Sequence, residues 1–355
     1  MGVKITGLGS YIPELTVKNE EFKGNTFFNL DGSQIEKDPD EIIEKFKAIT
    51  GIEERRYARD DQQTSDIAAI AAERAIENAG IDKESLDGII MAHNFGNIPK
   101  GKVQTDILPS LASRIKYKLE IENPFCVAYD ILFGCPGWIQ GVIIAQNFIK
   151  AGDGKRFLVI GAETLSRVLD PHDRDSMIYS DGAAASIIEH NPNEEKGQGI
   201  LSTASMSFTK EQAYFLYYDK SHNHEIGHET RYIKMHGSKI YEFALTHVPQ
   251  AMKACLDKAN VDVSDVKKVI IHQANEKMDE AIIKRFFRLY GQKPPEGIMP
   301  MSIHKLGNSS VATVPTLFDL VSKGQLEGHE LKKGDLILLA SVGAGMNINA
   351  ITYRV

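Results

Sequence analysis

The chain has 355 residues, of which 42% are hydrophobic and 25% charged, and its formal net charge at pH 7 is −7. This composition is typical of a globular protein with a large core, and the negative charge argues against nucleic acid as a partner. No apolar stretch approaches the roughly 18 residues of a membrane span, and the three cysteines make no disulfide framework in so long a chain, so we expect a cytoplasmic protein.

The first predicted element is a strand and turn over residues 3–9, which we prefer to a signal peptide. A helix, a turn and a buried strand follow over residues 75–92, and the same pattern returns over residues 255–272. The matched positions are Ala79 with Ala259, Asp82 with Asp262, Leu86 with Val266 and Ala92 with His272. This repeat predicts an internal duplication.

The strands alternate with helices, a pattern that predicts parallel sheets covered by helices. We therefore expect an α/β protein of two equivalent halves, residues 1–195 and residues 196–355, packed as five layers in the order α/β/α/β/α. Ligands of α/β folds bind at the carboxyl ends of strands. Cys135 and His272 each follow a predicted strand, so we expect both to face one cleft.

Cys135 lies in the run Gly134-Cys135-Pro136-Gly137, between a strand-like segment at 125–131 and an apolar helix at 138–149. Proline is favoured in the first turn of a helix, so we place Cys135 at the helix N-cap. The positive end of the helix and its free N–H groups favour the thiolate, which is the nucleophilic form. The alternative is a buried structural cysteine that behaves as a small hydrophobe.

Three segments of the C-terminal half carry residues of catalytic types. His272 closes an apolar strand, Asn308 stands in a Gly-Asn-Ser-Ser turn, and Gly343-Ala344-Gly345 forms a glycine-rich turn that exposes backbone N–H groups. Taken singly, each has a structural explanation: a hydrogen-bonded core histidine, a helix cap and an ordinary turn. Their combination and their order along the chain are more specific than any one of them.

Together with Cys135, these segments resemble the thiolase-fold condensing enzymes, specifically the β-ketoacyl-acyl-carrier-protein synthase III family. Further matching segments are Gly7 to Pro13, Thr50 to Arg56, Asp170 to Arg174 and Ser180 to Ala185. The resemblance covers essentially the whole chain. It implies a thiolase-like five-layer α/β/α/β/α fold with an internal duplication, the nucleophile in the first half and the His/Asn pair in the second.

By this resemblance, Cys135 is the nucleophile that takes an acyl group from a thioester, and the N–H groups of Cys135 and Gly345 form its oxyanion hole. His272 and Asn308 receive the second thioester and stabilise the enolate left when malonyl loses carbon dioxide. The set differs from that of thiolases proper, which use a second cysteine, and of hydroxymethylglutaryl synthases, which use a glutamate. The resemblance implies no metal and no redox cofactor, with acyl-coenzyme A or acyl-carrier protein as substrate.

The coenzyme A positions depart from the family pattern. Arg174 matches the arginine that holds coenzyme A in this family. Lys45 and Phe46 fall where its tryptophan partner is expected, and Ile49 replaces a second arginine. The resemblance therefore leaves two donors open, coenzyme A and an acyl carrier protein.

The expected partners are an acyl carrier protein and a second copy of the chain. Lys277, Lys284 and Arg288 recur on one helix face, as for docking of an acidic carrier protein, although a solvated face is an equal alternative. Glu242 stands where another docking lysine is usual. In the family, the region of residues 94–109 reaches across a homodimer to the partner's acyl pocket, and here it is longer than expected.

Three other features carry open interpretations. The bulky residues beside the nucleophile are expected to change the size of the acyl pocket; they are Leu132, Phe133 and Trp138. The aromatic run at 214–218 lines an acyl tunnel or is ordinary core. Three histidines are close enough in sequence for a metal site, but they read as part of a polar loop, and we predict no metal. They are His222, His224 and His228.

We predict a homodimeric acyltransferase that condenses an acyl group on Cys135 with a malonyl thioester of a carrier protein, in fatty-acid initiation. The alternative is a specialised enzyme that condenses longer acyl or β-ketoacyl chains, head to head or into a dialkylresorcinol-type product. A non-catalytic partner subunit ranks last, because Cys135, His272 and Asn308 are all present.

Overall fold

The computed structural model describes residues 2–191, 197–227 and 229–355. Its strands are β1 (Gly2–Tyr11), β2 (Leu15–Lys18), β3 (Glu54–Tyr57), β4 (Gly88–Ala92), β5 (Val127–Ile131), β6 (Arg156–Thr164), β7 (Asp181–Asn191), β8 (Gly199–Ser207), β9 (Leu216–Asp219), β10 (Tyr232–Met235), β11 (Val266–Ile271), β12 (Leu336–Gly343) and β13 (Asn347–Arg354). Its α-helices are α1 (Pro39–Thr50), α2 (Thr64–Ala79), α3 (Leu111–Lys118), α4 (Gly137–Ala151), α5 (Gly237–Ala259), α6 (Glu276–Arg288), α7 (Ile303–Leu306) and α8 (Thr313–Ser322).

Two mixed sheets form the body of the protein, with the strand orders β1-β7-β6-β4-β5 and β11-β12-β13-β8. β4 pairs in parallel with β5 and β6, and β11 pairs in parallel with β12. The other pairs in these two sheets are antiparallel. The prediction of parallel sheets is therefore wrong in part. The connection from β6 to β7 spans residues 165–180, and one 3-10 turn joins β12 to β13. Neither connection contains a crossover α-helix, and the strand direction reverses.

The five predicted layers are present. α2 and α3 pack on the outer face of the first sheet, α4 and α8 lie between the sheets, and α5 and α6 pack on the outer face of the second. Three clusters of buried apolar side chains hold the layers together: one under each outer helical layer, and one around α4 and α8 that contacts both sheets. Trp138 belongs to the middle layer, where its Nε1 donates to Ser186 Oγ at 3.1 Å.

The sequence repeat corresponds to a structural repeat. α2 and α5 each end at a residue in the left-handed conformation, Gly80 and Asn260 respectively. Asp82 and Asp262 then each accept a hydrogen bond from a backbone N–H and open a short 3-10 turn that leads into β4 or β11. The order β1-β7-β6-β4 in the first sheet is also matched by β8-β13-β12-β11 in the second.

The two sheets differ at one edge. β5 extends the first sheet beside β4, whereas an irregular segment covers the equivalent edge of the second sheet at β11. There Val269 N–H donates to Ile298 O at 2.8 Å, and Gln273 Nε2 donates to Pro300 O at 2.7 Å. β5 leads into the turn of Cys135, and β11 ends immediately before His272.

The predicted division between residues 195 and 196 lies outside the described residues. The strands of the first sheet come from residues 2–191, and those of the second from residues 199–354. Within the described ranges, no helix combines the length and the apolar character needed to cross a bilayer. The cytoplasmic location stays a prediction.

Candidate active site

Cys135 lies on the turn between β5 and α4. α4 begins at Gly137 with Pro136 as its N-cap, so Cys135 precedes the helix by one residue more than predicted. The reason is a tight turn ahead of the helix, closed by a hydrogen bond from Gly137 N–H to Gly134 O at 3.0 Å. Cys135 nevertheless stays at the amino-terminal end of α4.

The Cys135 turn packs directly against the end of β12. Gly134 has a φ of +64°, and a Cβ there would lie 2.5 Å from the amide nitrogen of Ala344. A Cβ on Gly343 would overlap the amide nitrogen of Cys135. Both positions therefore require glycine. The contact brings the turn that carries Gly345, the predicted second oxyanion donor, next to the nucleophile.

The Cys135 thiol is held in its neutral form. Burial raises its pKa to about 11, and a hydrogen bond of 3.3 Å from the Ser310 hydroxyl to Sγ acts in the opposite direction. The Glu163 carboxylate adds to the increase in pKa. The helix end favours the thiolate, as the sequence predicts, but the loss of solvent has the larger effect on the pKa of Cys135 in the free protein.

His272 follows β11 and lies beside β12. Its backbone N–H donates to Ala340 O at 2.9 Å, and its side chain is 6% exposed. Burial lowers the pKa of the imidazole to about 4, so the ring is neutral at physiological pH. Among the described residues, Nδ1 has no hydrogen-bond partner. A neutral imidazole of this kind can donate one hydrogen bond to a developing enolate.

Asn308 is held in place by residues of the first half. Its backbone N–H donates to Ile178 O at 3.0 Å, and its carbonyl accepts from Ser180 N–H at 2.8 Å. Its side-chain Oδ1 accepts from Ser310 N–H at 2.8 Å, which leaves the amide NH₂ for a ligand. Because Ser310 also contacts Cys135, one residue links Asn308 to the nucleophile.

Two cavities adjoin Cys135 and Asn308, and His272 is not among the residues that line either of them. The entry cavity has a volume of about 590 Å³ and is lined by Asn308 and by residues of α1, α5 and α6. The inner cavity has a volume of about 230 Å³ and is lined by Cys135 and Ser310. Ile178 lines the entry cavity and Tyr179 lines the inner cavity, so the two cavities lie on either side of this segment.

All four positions that the sequence associates with coenzyme A line the entry cavity. They are Arg174, Lys45, Phe46 and Ile49. The Arg174 side chain is 56% exposed and lies 4.0 Å from the carboxylate of Asp175, so it stands at the rim of the cavity. The rim thus offers a guanidinium and an aromatic ring.

The aromatic run at 214–218 contributes to the inner cavity. Leu216, Tyr217 and Tyr218 line it together with Cys135. Phe95 lines the cavity too, and its ring packs on Tyr218 with the centroids 5.4 Å apart. The acyl-tunnel interpretation of this run is therefore supported by position.

The bulky residues beside the nucleophile are not among the residues that line the two cavities, and their effect on the size of the acyl pocket stays a prediction. Leu132 is exposed, Phe133 is half-buried, and Trp138 points into the middle layer. Neighbours of Cys135 along the chain diverge in space, because the chain reverses direction at the turn and then enters a helix.

The three predicted docking residues share an exposed face of α6. Lys277, Lys284 and Arg288 are all exposed, and Lys284 pairs with Glu280 at 3.0 Å. The residues just before α6 line the entry cavity, so Lys277 lies nearest its mouth and Arg288 at the far end of the helix. Glu242 also lines the entry cavity and places a negative charge there.

The histidine-rich segment contributes to a buried ionic cluster. His222 Nδ1 lies 3.5 Å from Asp173 Oδ2, and Asp170 completes a group with metal-ligand spacing. Lys234 Nζ lies 3.0 Å from Asp173 and contacts Asp170, so an ammonium group already supplies the cation between these carboxylates. The other two histidines of the segment are His224, which is exposed, and His228, which lies outside the described residues.

Sequence reasoning missed a polar group behind Cys135. Glu163 near the end of β6 is fully buried and accepts from the backbone N–H and the side-chain amide of Asn94, at 2.7 and 2.6 Å. Burial raises the pKa of Glu163 to about 8. The sequence itself indicates this group, because an acidic residue in a strand of buried apolar residues requires a hydrogen-bond partner.

We expect His272 to remain neutral across the pH range in which the protein works. Because burial lowers its pKa to about 4, its imidazole resonances should stay constant from pH 8 down to about pH 5.5 in NMR spectra of ¹³C-histidine-labelled protein. The resonances that disappear in the spectrum of His272→Asn are those of His272. Between pH 6.5 and 4 the unfolded chain takes up a proton that the folded site refuses, so this residue lowers stability as the pH falls. A titration midpoint above pH 6 would contradict the neutral imidazole.

The chain matches the family described as 3-Oxoacyl-[acyl-carrier-protein (ACP)] synthase III over residues 129–208, and the C-terminal part of the same synthase over residues 256–355. It is 32% identical to the beta-ketoacyl-[acyl-carrier-protein] synthase III of Ehrlichia ruminantium (strain Gardel) over 353 residues, 99% of this chain and 98% of that one. The synthase III of Staphylococcus aureus (strain JH1) is 32% identical over 355 residues, 100% of this chain and 99% of that one.

Among solved structures, 3-oxoacyl-[acyl-carrier-protein] synthase III from Aquifex aeolicus VF5 is similar over 100% of both chains, with a TM-score of 0.80 and 30% identity. The thiolase-like fold predicted from the sequence is thereby confirmed. The chain belongs to the beta-ketoacyl-[acyl-carrier-protein] synthase III family.

Proposed function

We propose that this protein is a condensing acyltransferase that initiates fatty-acid synthesis, by joining an acyl group on Cys135 to a malonyl thioester of acyl carrier protein. The observation that carries the proposal is the link through Ser310. Its hydroxyl lies 3.3 Å from Cys135 Sγ, and its N–H lies 2.8 Å from Asn308 Oδ1. Cys135 lines the inner cavity, Asn308 lines the entry cavity, and Ser310 contacts both residues. This arrangement suits two thioesters that react in turn at one sulfur.

In the first step, the sulfur of Cys135 attacks the carbonyl carbon of the incoming thioester. A new C–S bond forms, the donor's C–S bond breaks, and the proton of the Cys135 thiol ends on the released donor thiol. The carbonyl oxygen carries the transient negative charge. The proposed donors to it are the N–H groups of Cys135 and Gly345, and each donor of this kind typically contributes a few kcal/mol to the rate.

In the second step, the malonyl thioester loses carbon dioxide, and the electron pair of the broken C–C bond forms an enolate. His272 and the NH₂ group of Asn308 donate hydrogen bonds to the enolate oxygen in this proposal. The enolate carbon then attacks the acyl carbonyl, the C–S bond to Cys135 breaks, and the released thiolate takes up a proton from solvent. The low pKa of His272 supports this role. A neutral imidazole can donate a hydrogen bond to the enolate oxygen without protonating the enolate.

The size of the inner cavity supports a short acyl group. Its volume of about 230 Å³ is less than half the 590 Å³ of the entry cavity, and the rings of Tyr217 and Tyr218 form part of its wall. The full-length relatives are synthases III, and they do not favour a specialised enzyme for longer chains.

Arg174 and Phe46 are proposed to hold the nucleotide of a coenzyme A donor. Both line the entry cavity, and a guanidinium and an aromatic ring can enclose a planar base between them. The bonds that form and break lie within the two thioesters and Cys135. The proposed reaction therefore requires no metal and no redox cofactor.

Acyl transfer can be tested by intact-protein mass spectrometry with acyl-coenzyme A donors from acetyl to dodecanoyl. We expect a gain of one acyl group with the short donors and its discharge by malonyl-carrier protein. Cys135→Ala should gain no mass. His272→Ala and Asn308→Ala should still be acylated, while their condensation rates fall by about 100-fold or more, because they act on the second thioester.

Cys126→Ala is the matched control, since Cys126 is a buried thiol away from both cavities, and it should be acylated like the wild type. An adduct formed only with long donors, or discharged by β-ketoacyl-carrier protein, would transfer the assignment to a specialised condenser. Absence of any Cys135-dependent adduct would refute the catalytic assignment.

The exposed face of α6 is proposed to dock the acyl carrier protein. The chain as a whole is negative, so Lys277, Lys284 and Arg288 form a local basic stripe beside the entry cavity. Cations on one helix face attract an acidic partner and orient it before contact. Lys277 carries most of the expected effect because it is nearest to the mouth of the cavity.

Lys277→Glu should raise the KM for malonyl-carrier protein about 10-fold at low salt and leave kcat little changed, because a charge reversal weakens encounter and docking. Steady-state kinetics at several carrier concentrations measure the effect. Lys150→Glu is the control, since Lys150 is exposed at the opposite end of α4 from Cys135. Equal KM values for Lys277→Glu and Lys150→Glu would show that the stripe is only a solvated face.

A second copy of this chain is proposed to pair along β5. β5 is an edge strand, and edges present unpaired backbone N–H and C=O groups. Apolar side chains around this edge are exposed, including Phe125 at 82% and Val127. The segment at 94–109 adds Leu108, which is 87% exposed. A large exposed apolar patch of this kind marks an interaction surface.

The double variant Phe125→Asp/Val127→Lys should shift the protein from dimer to monomer at micromolar concentration, because it places charges on the paired edge. Sedimentation velocity distinguishes the two states. Tyr214→Lys is the control, since Tyr214 is a 79% exposed aromatic residue outside β5. A monomeric wild type, or an unchanged dimer in the double variant, would contradict pairing at this edge.

A further inference from the structure

Ser310 occupies an unusual position between the candidate catalytic residues. It has a φ of +53°, a left-handed conformation that is unfavourable for a residue other than glycine. Its hydroxyl donates to Cys135 Sγ at 3.3 Å, and its N–H donates to Asn308 Oδ1 at 2.8 Å. Backbone strain of this kind persists only where surrounding contacts impose it, and it clusters at functional sites.

A second layer of contacts fixes the direction of the Ser310 hydroxyl. Asn94 Nδ2 lies 3.3 Å from Ser310 Oγ and 2.6 Å from Glu163 Oε1, and its two hydrogens serve these two acceptors. Asn94 Oδ1 accepts from the N–H of Gly134, the residue before Cys135, at 3.1 Å. A serine hydroxyl that accepts a hydrogen bond from an amide still has its own proton to donate, and here Cys135 Sγ accepts that hydrogen bond.

We propose that Ser310 is a further catalytic residue, whose hydroxyl stabilises the sulfur anion of Cys135, and that Asn94 and Glu163 are the residues that position it. This inference rests on the proposed function only in taking Cys135 as the nucleophile.

The hydrogen bond acts selectively on the charged sulfur. A hydroxyl binds a thiolate more strongly than it binds a neutral thiol or a thioester, because hydrogen bonds to ions are roughly twice as strong. The bond therefore favours ionisation of Cys135, with the thiol proton released to solvent when no thioester is present. It also favours release of the sulfur anion when the condensation product leaves.

Glu163 has two opposed effects on this arrangement. Its carboxyl group holds Asn94 in place, and in its ionised form it places a negative charge near Cys135. Burial raises the pKa of Glu163 to about 8, so the charge is mostly absent at neutral pH. Of the described titratable groups, Tyr179 also faces Cys135, and Asp181 faces Glu163; burial raises both of their pKa values.

The test is the rate of Cys135 alkylation by iodoacetamide from pH 6 to pH 10, followed by intact mass. This reagent needs no thioester and no carrier protein, so the result stands apart from the proposed condensation. Ser310→Ala and Ser310→Gly should both react about 10-fold more slowly at pH 8, which corresponds to a rise of about one unit in the apparent pKa of Cys135. Glycine accepts the left-handed backbone, so agreement between the two variants assigns the effect to the hydroxyl.

Ser309→Ala is the matched control. Ser309 is the adjacent buried serine, and its hydroxyl contacts Thr313 at 3.3 Å and not Cys135. It should react at the wild-type rate, and Cys135→Ala should not react. If both Ser310 variants react like Ser309→Ala, the catalytic role of Ser310 is overturned.

Two further variants test the positioning residues. Asn94→Ala should slow alkylation like Ser310→Ala. The double variant should be no slower than either single variant, because both substitutions act through the same hydrogen bond from Ser310 to Cys135. Glu163→Gln keeps an acceptor for Asn94 and removes the charge, so it should react several-fold faster than the wild type above pH 8 and equally fast at pH 6. Additive effects in the double variant, or slower alkylation by Glu163→Gln, would overturn the positioning role.

Discussion

The contact between the Cys135 turn and the end of β12 is the constraint on which the rest of the site depends. Gly134 on one side and Gly343 on the other allow two backbones to touch, with no room for a Cβ at either position. The contact joins the carboxyl end of the first sheet to that of the second. The nucleophile of one half therefore lies against the end of β12, the strand that pairs with β11, and β11 leads into His272 of the other half.

Burial keeps the Cys135 thiol and the His272 imidazole uncharged at neutral pH. It raises the pKa of Cys135 to about 11 and lowers that of His272 to about 4. Where the neighbouring groups are neutral and buried, each hydrogen bond that forms to a transient anion is strengthened. Such a site stabilises an oxyanion or enolate with fixed N–H and O–H donors, but the free thiol is less reactive than an exposed one.

Sequence patterns predicted the layers, the duplication and the family, because helix and strand periodicity and the glycine turns are local properties. They also identified Cys135, His272 and Asn308 as candidate catalytic residues. The patterns did not predict the neutral thiol, since desolvation depends on how the halves pack. They missed Glu163 and Asn94, which meet only when the ends of β6 and β4 are brought together. Proximity to Cys135 in sequence does not place Trp138 on the walls of the cavities, because its side chain belongs to the core.

The unequal edges of the two sheets have a consequence for assembly. The irregular segment at Ile298 satisfies the β11 edge, whereas the equivalent β5 edge of the first sheet presents exposed apolar side chains. A strand that pairs antiparallel with its own copy is self-complementary, and such an isologous contact is used up by one partner. The two halves share one fold, but of the two equivalent edges, at β5 and β11, only the β5 edge is open to a second strand. Association of two copies through this edge, as proposed, would end at a closed two-fold pair and would not propagate into a filament.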